Sequence, residues 1–140
     1  FTYSAHPVSA AVGLEVLRLY TEGGLLENGV KSGRHLMSRL RDLAGHPLVG
    51  EVRGISMLAA LEVVADKKTK RLFAPELALG ERLADAGMKN GIIFRAFANG
   101  TIGLAPSLNY TLSDVDDLAE RLEKTLNAVL DQAEVRSALA

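Results

Sequence analysis

The sequence contains no cysteine and no tryptophan, and aromatic residues make up only 5% of its 140 positions. Without cysteine there is no disulfide framework, no thiolate nucleophile and no Cys-based zinc site. His6, His35 and His46 are too scattered to predict a metal cluster. An excess of either charge is missing too: 16 Lys plus Arg against 17 Asp plus Glu leave a formal charge of −1. Such a balance gives no field to hold a phosphate backbone. The one basic cluster, Lys67, Lys68, Lys70 and Arg71, lies beside turn-forming residues and reads as a solvated loop, so nucleic acid is not an expected partner. No apolar run approaches the ~20 residues of a membrane helix, and no segment resembles a signal peptide. A soluble, cytoplasmic protein is expected.

What is present is apolar bulk, 48% of the chain. A chain of this length fits one domain, or one domain cut from a longer chain, and buries roughly 68–70% of its extended surface when compact. The sequence opens at Phe1 without an initiator Met and runs at once into an apolar segment, so an excised piece is expected.

Helix signals begin at Pro7, whose fixed φ suits a first turn, with Ala5 or His6 near the cap. The helix is apolar nearly all round through Val8, Val12, Leu14, Val16, Leu17, Leu19 and Tyr20, and so needs covering on most sides. Gly23 and Gly24 end it. A second, amphipathic helix fits Leu26, Val30, Met37, Leu40 and Ala44, closed by Gly45. Residues 49–64 predict two strands, or one bent at Gly54. A third helix carries Leu77, Leu79, Leu83, Ala84 and Met88. Residues 92–97 and 101–105 then flank Ala98-Asn99-Gly100, a strong hairpin signal. The last helix has Thr111 as cap with Asp114 three residues on, and a stripe of Val115, Leu118, Leu122, Leu126 and Val129. Strands joined by short loops predict an α/β fold of the α+β layer type: a small, mostly antiparallel sheet with helices on one face.

Few residues suggest chemistry. There is no Gly-rich phosphate loop and no His-Glu-x-x-His. Glu62 interrupts an apolar strand, which fits an outward-facing carboxylate or a catalytic one. Arg95 sits among Ile93, Phe94, Ala96 and Phe97, and alternation puts it beside Ile93 and Phe97 on one face. It reads either as a solvent-facing arginine or as the bidentate group that recognises a substrate carboxylate. Arg53 is a second candidate, with a structural salt bridge as its other reading. Thr2, Tyr3 and Ser4 place hydroxyls and N–H groups ahead of a helix N-terminus, which suits either an anion or a simple cap.

The block Phe1-Thr2-Tyr3-Ser4-Ala5-His6-Pro7-Val8-Ser9-Ala10-Ala11 resembles the class III aminotransferases, pyridoxal 5'-phosphate (PLP) enzymes of fold type I. The resemblance continues through His46-Pro47-Leu48-Val49-Gly50-Glu51-Val52-Arg53-Gly54, Phe94-Arg95-Ala96 and Leu104-Ala105-Pro106-Ser107-Leu108 to Thr111. It spans essentially the whole chain, and the blocks in this order are specific. Ser56 and Ser107 stand where the family often has glycine and proline. Phe94-Arg95-Ala96 is most similar to the branch acting on amines and ω-amino acids with pyruvate.

The resemblance implies that residues 1–24 are the end of the large cofactor domain and its connecting helix, and that residues 25–140 are the carboxy-terminal small domain. It implies a Schiff-base lysine upstream of Phe1 and no catalytic residue within this chain, so the isolated chain is expected to be inactive. Thr2 matches the threonine that binds the PLP phosphate held by the neighbouring subunit, with Phe1 adjacent in the same cup. Arg95 matches the arginine that pairs with the carboxylate of an amino or keto acid substrate. The implied assembly is a homodimer or a dimer of dimers, working by ping-pong transfer from an amino donor to a keto acid. A different class of function, a stand-alone small-molecule-binding or dimerisation module without catalysis, uses the same α+β layer.

Overall fold

The computed structural model describes residue 2 and residues 4–139. Helix α1 (Pro7–Thr21) starts at the proline, and its cap is the ring of His6, which accepts from the Ser9 N–H at 3.2 Å. No residue of α1 is buried: Val8 is 65% exposed and Leu14 68%. The covering surface that its composition requires is not supplied by the described residues.

Helix α2 (Leu25–Asp42) runs into a 3-10 turn at Leu43–Gly45. Its buried stripe is Gly29, Ser32, Gly33, Leu36, Met37 and Leu40. This corrects the sequence expectation at two positions: Leu26 and Val30 are about half exposed, at 50% and 47%. The amino-terminal half of α2 packs through small residues, which a count of large apolar side chains overlooks. A Cβ on Gly29 would meet Leu108, and one on Gly33 would meet the Ser56 backbone.

Strands β1 (Val49–Ile55) and β2 (Leu58–Val63) form a tight antiparallel pair, so the apolar segment is two strands. Helix α3 (Leu79–Lys89) follows, with Leu77 in a separate 3-10 turn and Met88 63% exposed, so neither belongs to its buried face. Strand β3 is only Arg95–Ala96, shorter than the apolar run 92–97 suggested, and pairs with β4 (Thr101–Leu104). The hairpin between them is closed by Phe97 N–H to Thr101 C=O and Gly100 N–H to Phe97 C=O, both 2.9 Å, with Gly100 at φ +86°. The sheet order is β1-β2-β4-β3, antiparallel throughout.

Helix α4 (Leu112–Leu130) begins with the capping box expected of Thr111 and Asp114. The Thr111 hydroxyl accepts from the Asp114 N–H, and the Asp114 carboxylate accepts from the Thr111 N–H at 2.8 Å. Donation to the carboxylate from the Thr111 N–H and from the Thr111 hydroxyl holds the Asp114 carboxyl below the usual carboxylate range. Thr111→Ala should cost about 1 kcal/mol of stability, read from the denaturant midpoint at unchanged slope. A short helix α5 (Ala133–Ala138), not anticipated from the sequence, buries Val135.

Helices α2, α3 and α4 cover one face of the sheet. Ala59, Leu61 and Val63 of β2 and Ile102 and Leu104 of β4 point into that core, against Leu36, Leu40, Leu83, Leu122 and Leu126. The intervening residues Arg53, Ala60, Gly103 and Arg95 line up in register on the other face.

One half-buried histidine ties the layers together. His46 Nδ1 accepts from the Leu48 N–H and Nε2 meets Asn127 Oδ1, each at 3.2 Å, an arrangement that the neutral ring satisfies. Burial pushes its pKa below the ordinary 6.5. A lowered folded-state value means that the unfolded chain takes up the proton first. This contribution is therefore complete above about pH 6.5 and is lost as pH falls from there through the folded pKa. Between pH 7.5 and 5 the unfolding midpoint should fall more steeply for the wild type than for His46→Gln; parallel profiles would contradict it.

Candidate functional site

The antiparallel pairing brings the end of β1, the start of β2, the start of β3 and the end of β4 to one end of the sheet. A concavity of about 1510 Å3 opens there, walled by these strand ends, by residues 91–94, 105–107, 109 and 110, and by the first turns of α4. Two loops shape it, and α2 holds both. The Asn28 amide donates to the carbonyls of Leu108 (2.7 Å) and Tyr110 (3.0 Å), and the buried Ser32 hydroxyl donates to Tyr110 C=O at 2.7 Å. The Ser56 hydroxyl donates to Gly29 C=O at 3.1 Å, which fixes the β1–β2 turn.

Ser56 has φ +52°, in the left-handed region that favours glycine. The residue type conflicts with the backbone there, and the hydroxyl bond to α2 compensates.

Three guanidiniums line the concavity, those of Arg53, Arg95 and Arg121. Arg121 donates through Nε to Asp117 Oδ2 at 2.7 Å and through Nη1 to the carbonyls of Asn90 and Gly91. The Asp117 bond raises its already high pKa. Arg53 is paired with Glu62, its neighbour on the open sheet face. Of the alternatives open in the sequence, Arg53 is therefore the structural salt bridge and Glu62 the outward-facing carboxylate. Arg95 differs from both. Among the described residues it has no carboxylate or hydrogen-bond acceptor, and its charge rests over the ring of Phe97, with Cζ 5.3 Å from the centroid. Its neighbour Ile93 is 83% exposed, so the sequence-predicted face of Ile93, Arg95 and Phe97 is open.

A permanently charged group with an unsatisfied fork of donors, at the mouth of a concavity whose other cations are neutralised, is suited to a carboxylate. No lysine lines this concavity among the described residues. Lys67 caps the Ala44 and His46 carbonyls and Lys70 pairs with Glu51, whose pKa that pairing lowers. The basic loop is thus tied down locally rather than forming a patch. No group of three or more His, Asp or Glu able to hold a metal occurs among the described residues. No helix there is long and apolar enough to cross a membrane.

The opening segment lies apart, ahead of α1. Thr2 and Ser4 are exposed in turns, and because His6 caps α1, neither hydroxyl is used as the helix cap. The sequence-predicted Phe1 lies outside the described residues. For PLP, the donor set here fits one part of the site: a hydroxyl near a helix N-terminus for the phosphate. Among the described residues it lacks a lysine at the concavity to bond the aldehyde.

A family model, Aminotransferase class-III, matches residues 1–126. The chain belongs to the class III aminotransferases. Among its relatives, the diaminobutyrate–2-oxoglutarate transaminase of Halomonas elongata is 39% identical over 133 residues, covering 94% of this chain and 28% of that protein. The putrescine–pyruvate aminotransferase of Pseudomonas aeruginosa is 40% identical over 128 residues, 91% of this chain and 28% of that one. The solved (S)-enantioselective omega-transaminase of Thermomicrobium roseum superposes with TM-score 0.88 at 42% identity, over 94% of this chain and 29% of its own. The enzyme of Vibrio fluvialis, described as an omega-transferase, gives TM-score 0.88 at 35% identity, covering 97% of this chain and 31% of that one. The chain thus spans about three-tenths of the length of these class III relatives.

Sequence reasoning placed Phe97 beside Arg95 but missed the α2 clamp and the role of Gly103 as the ring's seat. Gly29 and Gly33 at i, i+4 beside Ser32 were the available signal for the first: small residues on a helix mark close approach. The second had no local signal, because the pairing of Arg95 with Gly103 is set by the register of β3 on β4.

Proposed function

We propose that this chain is the carboxy-terminal part of a PLP-dependent aminotransferase that moves an amino group from an amine or ω-amino acid to a keto acid such as pyruvate. Residues 1–24 complete the large domain and the connecting helix, and residues 25–140 form the small domain. The observation that carries the reading is Arg95, the one guanidinium of the concavity without a carboxylate partner among the described residues. The exposed apolar surface of α1 supports the domain division, since a large domain would cover it. Relatives named as omega-transaminases and as a putrescine–pyruvate enzyme support the amine branch and the acceptor.

PLP, when bound, withdraws electrons from the donor's reacting carbon and stores the amino group between half-reactions. This chain's residues have two tasks. Thr2 contributes its hydroxyl and N–H to the phosphate of the cofactor held by the neighbouring subunit, which makes a cytoplasmic homodimer the working unit. Arg95 clamps the carboxylate of the acceptor with two parallel N–H bonds, fixing where its carbonyl carbon lies. The reacting lysine comes from upstream of this chain.

The test is the protein extended upstream to the length of its relatives. Supplied with PLP, a primary amine and pyruvate, it should form alanine and the carbonyl product of the amine in equal amounts; no alanine would contradict the reading. Thr2→Ala in that protein should weaken cofactor retention about tenfold or less, read by gel filtration and residual PLP absorbance, with kcat at saturating PLP little changed.

A further inference from the structure

The seat of Arg95 is built from two residues that no comparison assigns. Arg95 pairs across the sheet with Gly103. Phe97, held at the hairpin by its N–H and C=O bonds to Thr101 and Gly100, turns its ring back over Gly103. A Cβ placed on Gly103 would stand 3.2 Å from Phe97 Cε2 and 3.6 Å from Arg95 Cβ, so the bare glycine makes room for the ring beside the arginine. An aromatic lying across a cross-strand glycine fills the gap that the missing side chain leaves. The guanidinium then rests over that ring, 5.3 Å from its centroid.

A guanidinium has two separate binding surfaces. Its flat face stacks on aromatic rings, while its N–H donors radiate from the edge and take carboxylates bidentately. Arg53 and Arg121 have their edges occupied by Glu62 and Asp117. In Arg95 the guanidinium carbon sits over the Phe97 ring, and its N–H donors have no acceptor among the described residues. We infer that Phe97, seated on Gly103, is a positioning residue that holds the Arg95 guanidinium over its ring and leaves its N–H donors open for a carboxylate-bearing substrate. A long side chain loses rotamer freedom when it captures a ligand, and a group already resting in place loses less. Phe97 thereby tunes the enzyme toward carboxylate-bearing acceptors without touching them. The inference rests on the reading of Arg95 as the carboxylate clamp.

The experiment uses the full-length enzyme after loading with an amino donor. It compares pyruvate with propanal, an acceptor that lacks the carboxylate. Phe97→Leu should raise KM for pyruvate about two- to fivefold, the size of one exposed cation–π contact, with kcat and the propanal reaction unchanged. Phe97→Tyr, which keeps a ring, should behave as wild type. In an Arg95→Ala background, Phe97→Leu should add nothing to the pyruvate defect. Equal losses for pyruvate and propanal would show a purely structural role and overturn the inference. So would an unchanged pyruvate KM in Phe97→Leu while Arg95→Ala alone selectively loses pyruvate, an outcome that leaves the clamp standing. If Arg95→Ala is itself unselective, the clamp fails, and the positioning role fails with it.

Discussion

Arg95→Ala, made in the full-length aminotransferase, should lower kcat/KM for pyruvate by about 30- to 1,000-fold and leave propanal, which has no carboxylate, within about twofold of wild type. The range corresponds to ~2–4 kcal/mol for losing one arm of a desolvated charge-assisted pair. The selectivity follows from geometry. Arg95 is bound to no structural carboxylate among the described residues, so its removal strands no internal partner. Arg53→Ala provides the contrast. It would leave Glu62 without its guanidinium on the sheet face, and should depress both acceptors together through the packing of β1 on β2. Arg95→Lys keeps the charge but not the fork, and should fall between alanine and wild type. Equal losses for pyruvate and propanal in Arg95→Ala would remove the assigned role.

Gly33→Ala should be strongly destabilising, at about 3 kcal/mol, the upper end of what overpacking costs. An added Cβ would stand 2.5 Å from the Ser56 carbonyl carbon and 2.6 Å from its Cα. These are backbone atoms of a tight turn already held at φ +52°, so they cannot rotate aside as a side-chain tip would. Displacing them would break the Ser56 bond to Gly29 C=O and shift one wall of the concavity. The loss is measurable as a lowered chemical-denaturation midpoint at unchanged slope. Gly45→Ala is the matched control: nothing lies within 4 Å of its added Cβ, and the change should stay within about 0.5 kcal/mol. Similar losses for both would refute the steric explanation.

How far the sequence carries varies from element to element. Where large side chains meet a large partner, periodicity suffices. Val115, Leu122, Leu126 and Val129 announce α4, and its capping box is explicit in Thr111 and Asp114. Where packing is done by absence, as with Gly29 and Gly33 of α2, the apolar pattern points to the wrong side. Leu26 and Val30 look like core and stand about half exposed. The hairpin turn was legible from Asn99-Gly100, but not the brevity of β3, because Ile92 and Phe94 are apolar for packing reasons beyond the ladder. Of the candidate site, Arg95 could be singled out from one residue among apolar neighbours. That Arg53 and Glu62 cancel each other required the register Glu51↔Glu62 and Arg53↔Ala60, which no local pattern contains. The opening segment remains the least constrained, since Thr2 would meet its partner in another subunit.

The most direct measurement is amino transfer by the purified 140-residue chain set against the same chain extended upstream, each with PLP, a primary amine and pyruvate. The concavity holds a guanidinium without a carboxylate partner and no lysine among its described lining residues. The extended protein should therefore turn over, while the isolated chain should form no alanine and show no absorbance band of lysine-bound cofactor. Turnover by the 140-residue chain alone would contradict the central claim that it recognises the substrate's carboxylate while the covalent chemistry is supplied from elsewhere.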